Sequence, residues 1–158
     1  MNSGWITYFL NICAAVAQKS KDPSTKVGCV IVNGHNAILS TGYNGLPRNV
    51  MEQPARYERP AKYRWTEHAE RNAIYNAARH GISLDGATLF VTGLPPCADC
   101  ARAIIQCGIK EVCVCVPADS SASARWADET EISRIMFQEA GVAMMFITQQ
   151  QQQQKEKN

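Results

Sequence analysis

Two short segments constrain this chain more than anything else in it: His68-Ala69-Glu70 and Pro96-Cys97-Ala98-Asp99-Cys100, with Cys97 placed 27 residues after Glu70. Together they supply one imidazole, two thiols and one further carboxylate. In mid-helix, residues i and i+2 point about 200° apart. His68 and Glu70 can therefore converge only at a helix start, where the Cα–Cβ bonds lean toward the N-terminus. Thr66 is the expected N-cap of that helix. Cys97 and Cys100, three apart, share one face of a second helix start, announced by Pro95-Pro96. The fold thus has to bring two helix N-termini to one point. Structural zinc sites are usually closed by four protein ligands, whereas catalytic ones keep a water in the fourth position. Three ligands and a spare acid fit the catalytic kind, and the positive helix ends favour thiolate over thiol.

The remaining composition fits a compact enzyme. The 158 residues make one domain of ordinary size. Hydrophobic residues form 46% and charged ones 19%, which excludes disorder for the bulk of the chain. A net charge of only +2 argues against a nucleic-acid binder and for a small substrate. Seven cysteines are an odd number and are not spaced as a disulfide framework. The apolar stretch from Trp5 to Val16 is interrupted by Asn11 and has no basic segment before it, unlike a signal peptide. No apolar run approaches membrane-spanning length, so the expected setting is a reducing cytoplasm. Cys13, Cys29, Cys107, Cys113 and Cys115 are expected as small buried hydrophobes.

Hydrophobic periodicity predicts a helix over 3–19, with Trp5, Phe9, Ile12, Cys13 and Val16 inward, then strands over 27–32 and 37–41 joined by the loop Asn33-Gly34-His35-Asn36. From Gly42 to Arg64 the pattern dissolves into a loop longer than a connection needs, and such loops are usually functional. Beyond it come a helix over 67–79, a strand over 87–92, a helix over 97–107 and a strand over 111–116. A helix over 128–140, with Ile132, Ile135 and Met136 inward, and a strand over 142–148 complete the series. Strands alternating with helices imply parallel crossovers in an α/β fold. The domain is expected to span 1–148. Residues 149–158, six glutamines followed by Lys155-Glu156-Lys157-Asn158, read as a polar, disordered tail.

The ordered combination H-x-E…P-C-x-x-C resembles the signature of the zinc deaminases. Asp22-Pro23 with Lys26-Val27-Gly28, Gly42-Tyr43-Asn44-Gly45, Asn72-Ala73-Ile74 and Gly108-Ile109-Lys110-Glu111-Val112 extend the likeness. With them, the stretch from about Asp22 to Val142 resembles the deoxycytidylate deaminases within the cytidine-deaminase-like superfamily. The resemblance implies a three-layer fold, a mixed five-stranded sheet of order 2-1-3-4-5 flanked by helices, with the first hairpin antiparallel and the rest parallel. It implies zinc held by His68, Cys97 and Cys100, and Glu70 as the proton shuttle in hydrolytic deamination of a cytosine mononucleotide, dCMP to dUMP and ammonia. The backbone N–H of Ala69 would bind the pyrimidine O2, Asn44 the sugar or base edge, and the carbonyl of Pro95 the leaving amine. Lys26 and Arg48 are the first candidates for the 5′-phosphate, ahead of Arg56, Arg59, Lys62 and Arg64. Trp126 is a candidate cover for the base. The implied partner is a small nucleotide, with no membrane and no nucleic acid, in a homo-oligomer, dimer or hexamer. A tRNA adenosine deaminase, a deaminase of a modified cytosine nucleotide and a zinc-stabilised interaction module stay open as alternatives.

Overall fold

The computed structural model describes residues 1–116 and 127–148; the expectations for Trp126 and for the glutamine tract lie outside the described residues. Helix α1, Ser3–Ala17, is capped by Asn2, whose side chain accepts from the Trp5 N–H. It leads into the hairpin β1, Gly28–Val32, and β2, Ile38–Tyr43. Asn33 closes that hairpin, its Oδ1 accepting from the N–H groups of His35 and Ala37. The long segment after β2 carries a 3₁₀ turn, Pro54–Tyr57, and a one-turn helix α2, Lys62–Trp65. Then follow α3, Ala69–Arg79, β3, Thr88–Thr92, α4, Ala98–Gln106, β4, Glu111–Val116, α5, Ala127–Ala140, and β5, Ala143–Thr148.

The strands form one sheet of order β2-β1-β3-β4-β5. β3, β4 and β5 are parallel to one another, as expected. The expectation that only the first hairpin is antiparallel is corrected: β3 also runs antiparallel to β1. The reason is one of parity. β2 reverses the direction of β1, α3 crosses back over the sheet, and β3 therefore points along β2 while lying beside β1.

Alternation along the strands divides the core into two layers. Val30, Val32, Phe90 and Ile147 face α1, packing on Ile6, Phe9, Leu10 and Cys13. Cys29, Ile31, Leu89, Val91, Val112 and Val114 face α3, α4 and α5. Two helix faces are rotated from the sequence expectation. Trp5 is exposed and Ile6 and Leu10 are buried instead, while on α5 Ile132 and Ile135 are exposed and Ser133 and Phe137 point inward. Cys13, Cys29, Cys113 and Cys115 are buried and Cys107 partly so. Among the described residues, no helix is long and apolar enough to cross a membrane.

Close backbone contact sets α3 on the sheet. A Cβ on Gly42 would lie 2.3 Å from both the Ala69 carbonyl oxygen and the Ala73 nitrogen, so only glycine lets β2 approach the start of α3 this closely. Asn72 and Asn76 reinforce the contact, donating to the carbonyls of Tyr43 and Thr41 at 2.8 and 2.6 Å.

Candidate metal centre and nucleotide cavity

Both helix starts reach the same point. His68 occupies the N-cap position of α3 and Glu70 lies in its first turn; Cys97 occupies the N-cap position of α4 and Cys100 lies in its first turn. Thr66, expected as the N-cap of α3, instead ends α2, its Oγ1 donating to the Lys62 carbonyl at 2.7 Å. The extra turn of helix before His68 moves the cap two residues along.

His68 Nδ1 lies 3.5 Å from Cys97 Sγ and 3.5 Å from Cys100 Sγ, and the three ligand atoms all fall within 4.8 Å of one another. Zinc–sulfur bonds of about 2.3 Å and zinc–nitrogen bonds of about 2.0–2.1 Å, at a tetrahedral angle, would separate such atoms by about 3.6 Å. The donor set and its spacing therefore fit zinc. The cluster is also poised electrostatically. A hydrogen bond from Cys100, aided by the His68 ring and opposed by burial, holds the Cys97 thiol down at about 4. Cys100, as the donor and itself buried, is pushed up. The contact with Cys97 raises His68, against the opposing effect of burial.

Glu70 is 4% exposed and makes no ion pair among the described residues. Burial lifts its carboxyl above the usual range, opposed by the His68 charge. A buried carboxyl beside a ligand cluster is placed to take a proton and to give it back.

His68, Glu70 and Cys97 line a cavity of about 460 Å³, within the range typical of small-ligand sites. Its walls come from the end of α1, the 22–27 loop, Asn44, the long segment, the start of α3 and the loop after β3. Ala69 and Pro95 both line it. As the first residue of α3, Ala69 has an N–H with no intrahelical acceptor. Asn44 lines the cavity too, but most of its amide is engaged: Oδ1 accepts from the Val27 N–H at 2.8 Å and Nδ2 donates to the Thr25 carbonyl at 2.9 Å. The side chain thus pins the backbone on either side of Lys26.

The candidate cations separate by environment. Lys26 and Arg59 line the cavity and have no ion-pair partner among the described residues. Arg48 is not brought to the cavity; its guanidinium donates to Asn76 on α3. Arg56 lies over the Trp65 ring, 4.1 Å from its centroid, and donates to the Met51 carbonyl. Lys62 borders the cavity, yet its ammonium is buried against Asp22 Oδ2 at 2.6 Å and Ser24 Oγ at 2.9 Å. That pair ties α2 to the loop after α1. Sequence reasoning missed it, because nothing local distinguishes a lysine that turns inward from its solvated neighbours.

Residues 3–116 match the family model described as the cytidine and deoxycytidylate deaminase zinc-binding region. The chain is 41% identical over 147 residues to an uncharacterised deaminase of Aliivibrio fischeri, covering 93% of this chain and 96% of that one. It is 38% identical over 150 residues to the deoxycytidylate deaminase of Mus musculus, covering 91% and 80%. Among solved structures, the dCMP deaminase of cyanophage S-TIM5 in complex with dCMP and dUMP is similar with a TM-score of 0.73 at 26% identity, over 93% of this chain and 99% of that one. With the site geometry and a family match over most of its length, this chain belongs to the cytidine and deoxycytidylate deaminase zinc-binding family.

Proposed function

We propose that this protein is a zinc-dependent hydrolase that converts dCMP to dUMP and ammonia, with His68, Cys97 and Cys100 holding the metal and Glu70 moving the protons. The observation that carries this reading is a buried carboxylate, without an ion pair among the described residues, beside a His/Cys/Cys cluster that borders a nucleotide-sized cavity. The names of the relatives support the substrate, as does the cyanophage enzyme's complex with dCMP and dUMP.

When bound, zinc supplies the Lewis acidity that makes water a nucleophile near neutral pH. Glu70 accepts a proton from the attacking water and delivers it to N3 of the cytosine as the C4–oxygen bond forms. It then carries the second water proton to the amine nitrogen, so that the C4–nitrogen bond breaks and ammonia leaves. The protein atoms around the ring hold it for this transfer: the Ala69 N–H at O2 and the Pro95 carbonyl at the departing amine. Lys26 and Arg59 take the 5′-phosphate in place of Arg48, and Asn44 acts at the sugar side while fixing the segment that presents Lys26. Seven free cysteines fit work in a reducing compartment, the cytoplasm.

The test is ammonia release from dCMP, deoxycytidine, cytosine oligonucleotides and a tRNA stem-loop. The expected result is a strong preference for dCMP. Lys26→Ala or Arg59→Ala should each shrink the dCMP-to-deoxycytidine ratio of kcat/KM by about 10- to 100-fold, the worth of a charge-assisted hydrogen bond. A wild-type preference for the nucleoside or the stem-loop contradicts the substrate, and unchanged ratios in both variants contradict the phosphate contacts.

A further inference from the structure

The three candidate ligands sit on two helix starts that the chain reaches by separate routes, one after the long segment and one after β3. Hydrogen bonds within α3 or within α4 cannot set the distance between His68 and the two cysteines. A side-chain bridge spans that gap. Arg71 follows Glu70 directly, and Asp99 lies between Cys97 and Cys100. Arg71 Nε meets Glu67 Oε2 at 2.6 Å and Arg71 Nη1 meets Asp99 Oδ2 at 3.2 Å. The guanidinium is therefore forked between the residue before His68 and the residue between the cysteines.

Neither end of the fork is loose. The Glu67 N–H donates to the Gly45 carbonyl at 2.8 Å, and the Glu67 carbonyl accepts from the Gly45 N–H at 3.1 Å, which fastens this segment to the turn after β2. Asp99 also accepts from Arg102. Exposure decides what such a bridge can do. The Arg71 side chain is 17% exposed but Asp99 is 57% exposed, and ion pairs that open to water add little to fold stability. Groups that orient metal ligands matter more than their bond energies suggest, and removing one typically costs 10- to 100-fold in metal affinity.

We infer that Arg71 is a positioning residue for the metal, and that the Glu67–Arg71–Asp99 chain holds the His68 side and the Cys97–Cys100 side of the cluster at coordinating separation. This rests on the reading of that cluster as the zinc site. The effect belongs on metal retention rather than on melting.

The test follows zinc release from the loaded, full-length protein to excess chromophoric chelator, for wild type, Arg71→Met, Asp99→Ala and the double variant. The absorption spectrum of each cobalt-loaded protein serves as a second readout. Either single variant should release zinc about 10-fold faster or more and should shift the cobalt bands, with the melting temperature little changed. The double variant should release zinc no faster than the faster single, because both act through one contact. Arg71→Lys should behave like Arg71→Met, since lysine's compact ammonium lacks the planar guanidinium whose separate Nε and Nη1 reach Glu67 and Asp99. Wild-type release rates in both single variants, additive effects in the double, or full rescue by Arg71→Lys would each overturn the inference. Asp99→Ala changes an exposed side chain, so it remains informative if Arg71→Met fails to fold. A wild-type protein that takes up neither zinc nor cobalt overturns the metal-site reading and this inference with it; uptake with unchanged release overturns this inference alone.

Discussion

Lys62 is buried against Asp22, and the two residues join segments 40 positions apart. Burial alone would raise the Asp22 carboxyl. The Lys62 ammonium, with donors from Ser24 and Thr25, outweighs it and holds Asp22 below its ordinary value of 3.8. A depressed carboxylate contributes stability that is complete above that ordinary value and is lost as pH falls through the lower folded one. Lys62→Met reverses the sign, leaving a buried carboxylate whose pKa rises. The variant should be less stable by about 3–5 kcal/mol at pH 7. The gap should narrow as the pH falls toward and below the usual carboxylate range, where protonation relieves the variant and weakens the wild type. Urea unfolding at pH 7, 5 and 4 measures it, and a gap independent of pH would contradict the account. Residues of this kind explain where sequence reading stopped. His68, Glu70, Cys97 and Cys100 were legible because helix geometry relates neighbours in the chain. Arg48, Arg59 and Lys62 share one loop composition, and only the folded loop sends one to Asn76, one to the cavity and one to Asp22.

At the scale of elements, the contact between β2 and α3 does most to place the site, since Gly42 packs directly on the backbone of Ala69 and Ala73. The obstructing atoms are backbone, so the neighbours cannot rotate away. Gly42→Ala should cost about 3 kcal/mol, the upper end of ordinary overpacking, and lower the melting temperature by roughly 6–12 °C. Gly34→Ala is the control, because a Cβ there meets nothing within 4 Å. Equal melting of the two variants would show that β2 and α3 do not need this approach. Apart from the 3₁₀ turn and α2, which form within the expected long loop, the order and type of the elements were readable from periodicity, but the buried faces of α1 and α5 were not. Trp5 and Ile6 are both apolar, as are Ile135, Met136 and Phe137. A stripe that wide fixes a helix without fixing its rotation, which the sheet then decides by seating Phe9 on Phe90, with ring centroids 5.1 Å apart. The antiparallel pairing of β1 with β3 was likewise a matter of which strand the crossover passes.

For the whole molecule, the sheet works as a frame that turns distant segments into one cavity. The end of α1, the 22–27 loop, Asn44, the long segment and two helix starts meet beyond the ends of β1 and β3. The candidate ligands and Glu70 could be placed from the chain because they lie in two short motifs at helix starts. The walls could not, because they are assembled from segments with no shared local pattern. The central claim is that a buried carboxylate, rather than the ligand cluster alone, moves the protons of the reaction. Glu70→Gln tests it most directly: glutamine keeps the shape and cannot carry a proton. Zinc content and dCMP turnover should be measured on the same preparation. The account predicts wild-type zinc content with kcat/KM lowered by at least about 10²–10⁴-fold. A Glu70→Gln protein that holds zinc and deaminates dCMP at close to the wild-type rate would contradict it.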